Sequence, residues 1–295
     1  MNVTLTGASG FLGTRLLQKL KSAGHKAHVL GRKPVPGLPF SHWDAASSEP
    51  PAESLATADA IIHLAGEPVA QRWTPEVKKR IRSSRVEGTR HLIHALSTLS
   101  KRPSVLVSAS AIGIYGSRGD EILTETSSPG NDFLAEVSKQ WEFESGLAES
   151  LGVRVAQVRI GVVLGREGGA LAKMLPPFKV GMGGKLGSGN QWMSWIHIDD
   201  LVDLLLFAIQ QKSARGPLNG TSPNPVTNAA FTKELAAVLH RPALIPVPGF
   251  ALKMLFGEMA GVVLASERVL PKATEAAGFQ FQHPHLREAL QNLLS

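Results

Sequence analysis

Three glycines near the start of the chain have the spacing of a phosphate-binding turn. Gly7, Gly10 and Gly13 follow the β-branched segment 3–6 and lead into a helical pattern of leucines that begins at Leu12. In such a turn the first glycine permits a tight bend, the second lets the backbone approach a pyrophosphate, and the third lets the helix pack against the strand. The helix N-terminus then offers free N–H groups to the phosphates. The other residues predicted to contact the phosphates are Ser9, Phe11 and Leu12.

The end of the second strand-like segment indicates which dinucleotide would bind. NAD-binding folds usually have an acidic residue about 20 residues after the glycines, where it binds the ribose 2′-hydroxyl. Here Leu30 is followed by Gly31, Arg32 and Lys33, and this stretch contains no carboxylate. An arginine can bind a 2′-phosphate through two hydrogen bonds, whereas a carboxylate would repel it. We therefore predict NADP as the cofactor, with Gly31 and Arg32 in its site; the alternative is that Arg32 is an ordinary solvated loop residue.

Further residues are predicted to lie along the same cleft. The segment 64–67 follows an apolar strand-like run, and its small residues would let the backbone lie against a ribose. Arg85 stands in the most basic stretch of the chain, and a surface position is the alternative for it. Two more contacts are expected where other strand-like runs end. The whole set is Leu64, Ala65, Gly66, Glu67, Arg85, Ser108 and Val162.

Strand-like runs alternate with helical patterns over the first part of the chain. Continuous apolar runs such as 60–64 are typical of parallel strands that are buried on both faces. We therefore predict an α/β fold with a Rossmann-type, doubly wound parallel sheet and a smaller C-terminal substrate lobe. The predicted organisation is an NADP-binding domain over 1–164, to which later segments return, substrate-lobe segments over 165–245, and a small C-terminal domain over 246–295.

The composition of the 295-residue chain excludes several kinds of chemistry. It has no cysteine, so disulfides, iron–sulfur clusters and thiol catalysis are ruled out. The formal net charge of +7 suits an anionic partner, but the basic residues are spread along the chain, and we predict neither nucleic-acid nor membrane binding. We see no targeting segment before the first strand. We expect a cytoplasmic protein, a monomer or homodimer, that binds a small-molecule substrate and has no metal site.

Four motifs together resemble the extended short-chain dehydrogenase/reductases of the NAD-dependent epimerase/dehydratase kind. They are the glycine turn 7–13, the segment 64–66, Ser-Ala-Ser-Ala-Ile-Gly-Ile-Tyr-Gly at 108–116, and Trp-Ile-His-Ile-Asp-Asp at 195–200. Over essentially its whole length the chain is similar to one branch of that superfamily. This branch carries Ala-Gly-Glu-Pro at 65–68 and a small C-terminal domain with Gly278-Phe279-x-Phe281. Its members are described as epimerase-family proteins or NADP-dependent oxidoreductases.

The resemblance implies a catalytic serine together with a tyrosine and a lysine four residues apart on one helix. The tyrosine exchanges the proton, the lysine lowers its pKa, and the serine hydrogen-bonds the reacting oxygen. Ser110 matches the serine and Lys139 the lysine, which puts Ala135 at the tyrosine position. Tyr115 is the only tyrosine, and the residue four positions later is Gly119, so no realignment restores the pair. The candidate catalytic residues are therefore Ser110, Lys139 and Tyr115, of which Tyr115 either donates a proton or, as we favour, lines the pocket.

Two kinds of function remain open at this point. One is an NADP-dependent oxidoreductase or epimerase-like enzyme that acts on an unknown small molecule, and the other is a non-catalytic NADP-binding sensor or interaction protein. The missing tyrosine favours the sensor. The Gly-rich segment 165–190 favours the enzyme, because we expect it to be largely irregular and to close over the nicotinamide. We also expect Ser110 and Tyr115 to face the same pocket as the nicotinamide.

Overall fold

The computed structural model describes all residues from 1 to 295. The strands are β1 Asn2–Thr6, β2 Lys26–Gly31, β3 Phe40–His42, β4 Ala60–His63, β5 Val105–Ala111, β6 Ile122–Leu123, β7 Arg154–Ile160, β8 Val162–Leu164, β9 Trp192–Met193, β10 Trp195–His197, β11 Gly216–Gly220, β12 Val226–Thr227 and β13 Arg268–Val269. The helices are α1 Phe11–Ser22, α2 Glu53–Ala56, α3 Pro75–Ser97, α4 Phe133–Gly146, α5 Gly169–Lys179, α6 Ile198–Gln210, α7 Asn228–Leu239, α8 Gly249–Phe256, α9 Ala260–Leu264, α10 Lys272–Ala276 and α11 Leu286–Leu294.

Seven parallel strands form the central sheet, in the order β11-β7-β5-β4-β1-β2-β3. The chain builds outward from β1 through β2 and β3, and then returns to the other side of β1 with β4. The strand order therefore reverses between β1 and β4, and a crevice lies at the carboxyl ends of the strands there. This arrangement confirms the predicted α/β fold with a Rossmann-type, doubly wound sheet.

The sheet is covered on both faces by hydrophobic side chains. Successive residues of a strand point to opposite faces, so in β4 the side chain of Ile62 packs in one core and that of Ile61 in the other. Leu16 of α1 and Leu201 of α6 bury their side chains in the first core, and Leu92 of α3 buries its side chain in the second. This two-sided burial explains the continuous apolar runs in the sequence.

Residues 165–190 are more regular than the glycine content predicts. The helix α5 occupies the middle of this segment and contains Pro176 and Pro177 in its last turn. Leu171, Leu175 and Phe178 form its apolar face and are buried in a third core. That core is shared with Trp195 and Phe231 and with helix α11, and its burial offsets the hydrogen bonds that the prolines remove.

Later parts of the chain contribute to the central sheet. The strand β11 pairs with β7 at the sheet edge, and helix α6 packs against α1. Near the C-terminus, β13 pairs with β6, which lies in the loop region after β5. The C-terminal segment thereby reaches the carboxyl edge of the sheet. None of the helices combines the length and the apolar character that crossing a membrane requires.

Candidate functional site

A cleft of about 490 Å³ opens at the carboxyl ends of β1, β2 and β4, where the strand order reverses. It is half enclosed by the segments that follow these strands. Most of the residues predicted to bind the cofactor come together here. Those that line the cleft are Gly7, Ser9, Gly10, Gly31, Arg32, Leu64, Ala65, Gly66 and Glu67.

The glycine turn requires glycine at two positions. Gly7 has a φ of +71°, and a Cβ there would lie 2.8 Å from the carbonyl of Leu64. A Cβ at Gly13 would lie 2.2 Å from the carbonyl oxygen of Gly7, so this glycine lets α1 pack tightly against the turn. The helix begins at Phe11, and no side chain accepts hydrogen bonds from its first N–H groups. The turn can therefore present free N–H groups to an anion.

A buried hydrogen-bond network fixes the facing wall of the cleft. The Thr6 hydroxyl accepts hydrogen bonds from the N–H groups of Leu64 and Ala65, both at 3.0 Å. The same hydroxyl lies 2.8 Å from Nδ1 of His63, and Nε2 of His63 lies 3.1 Å from the Thr89 hydroxyl. Complete burial lowers the pKa of His63 to about 4, so the ring is neutral at pH 7. The network therefore holds the 64–65 backbone without a charge.

Two cations stand at one end of the cleft. Arg32 and Lys33 follow β2, line the cleft and are exposed. Neither side chain forms a salt bridge. The carboxylate of Glu67 lies across the cleft. Hydrogen bonds from Gln71 and Arg80 lower the pKa of Glu67, and so do the charges of Arg80 and Arg32. Asp44 is the other acid on the cleft wall. The end of the cleft that Arg32 and Lys33 form therefore offers unpaired positive charge to a bound phosphate.

Arg85 supports the cleft wall from behind. Its guanidinium donates hydrogen bonds to the carbonyl oxygens of Glu67, at 2.9 Å, and Ile81, at 3.2 Å. It also lies 5.2 Å from the centre of the Trp141 ring, and a Cβ at Gly66 would meet it at 3.2 Å. Burial lowers the pKa of Arg85 to about 10, which leaves it charged at pH 7. Arg85 is therefore placed under the 66–67 backbone and does not line the cleft.

Several other predicted contacts also lie outside the walls of this cleft. The ring of Phe11 packs under the backbone of Gly165 and Gly168, where a Cβ would clash with it. Ser108 is fully buried and donates to the neighbouring carbonyl of Ala109. The N–H of Val162 donates to the carbonyl of Ser194 at 2.8 Å, in the small sheet beside the main one. Leu12 and Gly13 lie in the first turn of α1.

Ser110 and Tyr115 are joined through one buried polar network. The Ser110 hydroxyl donates to Glu142 at 2.6 Å, and Glu142 pairs with Arg159 through two hydrogen bonds of 2.8 Å. Arg159 also donates to the Tyr115 hydroxyl at 2.8 Å, and that hydroxyl donates to the side-chain oxygen of Asn219 at 2.7 Å. Both hydroxyls therefore already have protein partners, and neither lines the cleft.

The charges of this network set the protonation of its members. Burial raises the pKa of the fully buried Tyr115, against the opposing influence of Arg159. Burial alone would lower the pKa of Arg159, but the hydrogen bonds and charge of Glu142 raise it overall. Lys139 is separate from the network, because its ammonium group pairs with Glu136 at 2.6 Å and is partly exposed. No group of three or more His, Asp or Glu side chains is arranged to hold a metal ion.

The sequence analysis missed several residues of the cleft and of the buried network. The loop after β3 and one face of α3 complete the cleft, and helix α4 and strands β7 and β11 supply the network. A basic stretch in α3 was visible in the sequence, whereas nothing local marks the others. The missed residues of the cleft are Trp43, Asp44, Ala45, Ala46, Arg80, Ser83 and Ser84. Those of the network are Glu142, Arg159 and Asn219.

Two family profiles together cover most of the chain. The profile described as "NAD dependent epimerase/dehydratase family" matches residues 3–219. The profile described as "Domain of unknown function (DUF1731)" matches residues 247–293, within the segment predicted as a small C-terminal domain. The first match spans the whole central sheet and the cleft.

Relatives of similar length support the same assignment. The chain is 43% identical to the "Epimerase family protein SDR39U1 homolog, chloroplastic" of Arabidopsis thaliana, over all of this chain and 87% of that protein. It is 37% identical to the "Epimerase family protein YfhF" of Bacillus subtilis, over all of this chain and 98% of that protein. The crystal structure of human epimerase family protein SDR39U1 (isoform 2) with NADPH superposes with a TM-score of 0.88 at 35% identity, over 99% of both chains.

Proposed function

Because this chain belongs to the NAD dependent epimerase/dehydratase family of extended short-chain dehydrogenase/reductases and carries a DUF1731 C-terminal domain, we propose that it binds NADPH in the cleft. We further propose that it is an oxidoreductase or epimerase-like enzyme acting on a small molecule. The predicted family membership is confirmed, and the human relative named above was crystallised with NADPH.

The observation that carries the proposal is the unpaired Arg32 beside the glycine turn. A pyrophosphate on the N–H groups that open α1 would put the adenosine half of the cofactor between the turn and the 64–67 wall. The ribose 2′-position would then lie toward Arg32 and Lys33, which are exposed and free of ion pairs. Asp44 follows β3, not β2, so the usual position of an NAD-selecting acid is held by a cation.

The residues of the cleft fit a dinucleotide, and they would bind and orient it. When bound, the cofactor would supply a hydride to the substrate or take one from it. The glycine turn would hold the phosphates, and the Thr6–His63–Thr89 network would keep the 64–65 backbone in place beside the ribose. Position 135, which matches the family's tyrosine, is a buried alanine and has no hydroxyl, so the proton would have to come from another group.

A non-catalytic NADPH-binding sensor is the second candidate. It is favoured by the hydrogen bonds that already engage both candidate hydroxyls, since the Ser110 hydroxyl donates to Glu142 and the Tyr115 hydroxyl donates to Asn219. A screen of small aldehydes, ketones and hydroxy compounds for NADPH oxidation or NADP⁺ reduction separates the two. Turnover of any compound supports the enzyme, and tight NADPH binding without turnover supports the sensor.

Calorimetric titration with NADPH and NADH tests the cofactor proposal. We expect NADPH to bind more tightly than NADH, because a charge-assisted contact contributes about 1.5–3 kcal/mol, or roughly 10- to 150-fold in affinity. Arg32→Ala should remove most of that preference without changing NADH affinity. The matched control is Arg287→Ala, which removes another exposed arginine, one that pairs with Glu234 outside the cleft. Equal affinity of the natural protein for NADPH and NADH would contradict the proposal.

Two predictions from the sequence, on the cellular location of the protein and on its partners, stay predictions. The cytoplasmic location is one, and the Arabidopsis relative is named as chloroplastic. The monomeric or homodimeric state, with no nucleic-acid or membrane partner, is the other. Fractionation of cells and light scattering of the purified protein would test them.

A further inference from the structure

We propose that a second groove of the protein binds an elongated organic dianion, which has an anionic group at each end and an apolar chain between them. This α7 groove lies between helix α7 and the segment 241–246, with Lys185 at its edge. It is open to solvent and has a volume of about 700 Å³. It shares no lining residue with the cofactor cleft, so the proposal does not depend on NADPH binding.

One face of α7 forms the first wall of the α7 groove. The helix residues that line it follow one another at intervals of three and four positions, so they form a single row along the helix. They are Ala229, Thr232, Lys233, Ala236, Ala237 and His240. At the helical rise of about 1.5 Å per residue, the row is about 16 Å long. A groove of this length suits an extended ligand better than a compact one.

The chain turns back at the end of α7 to form the second wall. His240 has a φ of +52° and is the only residue other than glycine with a positive φ. The N–H groups of His240 and Arg241 donate to carbonyls in the last turn of α7, which ends the helix there. The segment that follows is fixed from its other side, because the N–H of Ile245 donates to the carbonyl of Gly183 at 3.3 Å. Both walls of the groove are therefore held by backbone hydrogen bonds.

Basic side chains lie toward both ends of the α7 groove, and no acidic residue lines it. A Cβ at Gly189 would lie 2.9 Å from Cδ of Lys185 and 3.1 Å from Cβ of Ala229, so Lys185 lies beside the first turn of α7. Lys233 follows one helical turn later. Arg241, together with the imidazole of His240, lies at the other end, where α7 stops.

These four side chains are exposed and form no ion pair. Nε of Arg241 donates only to the backbone carbonyl of Lys179, at 3.1 Å. Glu234, the acid next to Lys233 on α7, pairs with Arg287 instead. The positive charge toward each end of the groove is therefore available to an anionic group of a ligand.

The stretch between the two ends is apolar. Ala236 and Ala237 line it from the helix, and Leu244 lines it from the opposite wall. Leu244 is 84% exposed, the largest exposure among the large hydrophobic side chains of the protein, so a ligand chain could remove apolar surface from water here. Near Lys233, the side chain of Thr232 is buried, and its hydroxyl has no hydrogen-bond partner in the protein. Buried hydroxyls usually have a partner, so this one is left for a ligand.

A dicarboxylate with a long methylene chain matches this arrangement. One carboxylate would pair with Lys185 and Lys233, the other would pair with Arg241, and the chain would cover the alanines between them. A compact dianion would leave the apolar stretch uncovered. A chain with a single carboxylate would leave one end of the groove without its ion pair. The ligand class assigned to the α7 groove is therefore a long-chain dicarboxylate.

Calorimetric titration with three carboxylates tests the ligand class. We expect dodecanedioate to bind the protein without NADPH, in a ratio of one to one. The matched compound 12-hydroxydodecanoate keeps the length but has one carboxylate fewer, and should bind about 3- to 30-fold more weakly, because ion pairs of exposed side chains contribute little each. Succinate has both carboxylates but no long chain, and should bind more weakly still. Absence of dodecanedioate binding, or equal binding of either other compound, would overturn the proposal.

Removal of the cations places the site on the protein. The double variant Lys233→Ala with Arg241→Ala takes one charge from each end, and should weaken dodecanedioate binding about 3- to 30-fold. The matched control is Lys212→Ala with Arg215→Ala, which removes the same charges from exposed residues outside the groove and should bind dodecanedioate as the natural protein does. If both double variants bind equally well, the ligand does not use the cations of the α7 groove.

Thiol labelling locates the ligand without any loss of charge. The natural chain has no cysteine, so Ala237→Cys introduces a single thiol at an exposed position that lines the groove. Saturating dodecanedioate should slow the reaction of this thiol with iodoacetamide several-fold. The control Ala276→Cys, at an exposed alanine in the last position of α10, should react at an unchanged rate. No slowing in Ala237→Cys, or equal slowing in both variants, would show that dodecanedioate does not occupy the α7 groove.

Discussion

The cleft at the glycine turn and the buried polar network around Ser110 and Tyr115 differ in how the fold forms them. The first is formed by backbone from short continuous segments, 7–13, 30–33 and 64–67. The second is formed by side chains from β5, the loop after β5, α4, β7 and β11, which are distant in the sequence and adjacent in the fold. A site formed by the backbone of continuous segments can be recognised as a local sequence motif. A site formed by side chains that are distant in the sequence has no such motif. We therefore expect the cleft to be sensitive to substitutions that add atoms beside its backbone, and the buried network to be sensitive to substitutions that remove a polar or charged group.

The largest effect is expected from removing Arg159. Its guanidinium is 8% exposed and pairs with Glu142, which is 11% exposed, so Arg159→Leu leaves a nearly buried carboxylate without a charged partner. We expect a loss of about 3–5 kcal/mol in the free energy of unfolding. Urea denaturation measures it. The matched control Arg15→Leu breaks an ion pair whose side chains are 50% and 33% exposed, and should cost less than about 1 kcal/mol. Equal losses in the two variants would refute the structural role of the Arg159 pair.

The next largest effect concerns acid stability and the neutral His63 behind the 64–65 wall. In the folded protein its pKa is about 4, against an ordinary value of 6.5, so the unfolded state takes up a proton first as pH falls. Stability from this group is complete above pH 6.5 and is lost toward pH 4. The difference corresponds to about 3 kcal/mol. His63→Gln keeps one donor and one acceptor that do not titrate, and should flatten the stability profile in this range.

Urea denaturation at a series of pH values checks the His63 prediction. The control His94→Gln changes an exposed histidine whose side chain pairs with Glu49, and should leave the profile nearly unchanged. If His63→Gln loses stability on acidification as steeply as the natural protein, His63 does not limit acid stability.

The same contrast explains which features could be predicted from the sequence. Local patterns predict the sheet, the glycine turn, and the lining roles of Arg32 and residues 64–67. This is possible because the spacing of apolar residues and the residue types of a turn are properties of neighbouring residues. The absence of a tyrosine at Ala135 follows from the resemblance to the family, which matches Lys139 to the lysine of the Tyr–Lys pair. The partners of Ser110 could not be predicted, since Glu142 becomes a neighbour only through the packing of α4 on β5. Helix α5 was missed because the glycine content of residues 165–190 suggested an irregular segment, whereas its apolar face can be recognised only from the core that Leu171 and Phe178 enter.

The glycine turn should respond to a single added methyl group. A Cβ at Gly13 would lie 2.2 Å from the Gly7 carbonyl oxygen, so Gly13→Ala must push α1 away from the turn. We expect a loss of about 1–3 kcal/mol in the free energy of unfolding, together with weaker NADPH binding. Calorimetry and urea denaturation measure the two effects. Gly261→Ala is the matched control, because a Cβ there meets no atom within 4 Å and the residue lies outside the cleft. A Gly13→Ala protein that binds NADPH as the natural protein does would show that tight packing of α1 is not needed.

The smallest effect is expected where a buried hydroxyl lacks a partner. Thr221 directly follows β11, two residues after Asn219 of the buried network. It is fully buried, and its hydroxyl bonds to no protein group. Thr274 is equally buried, but its hydroxyl donates to the carbonyl of Asn219 at 3.0 Å. Valine has nearly the same shape as threonine, so Thr274→Val should cost about 1–2 kcal/mol by leaving that carbonyl with one partner fewer. Thr221→Val removes an unmatched polar group, and the free energy of unfolding should stay within about 0.5 kcal/mol or rise. Urea denaturation of the Thr274→Val and Thr221→Val variants measures both changes in the free energy of unfolding. A clear loss in Thr221→Val would mean that its hydroxyl contributes to the buried network, which then extends further along the carboxyl edge of β11 than the Tyr115–Asn219 bond.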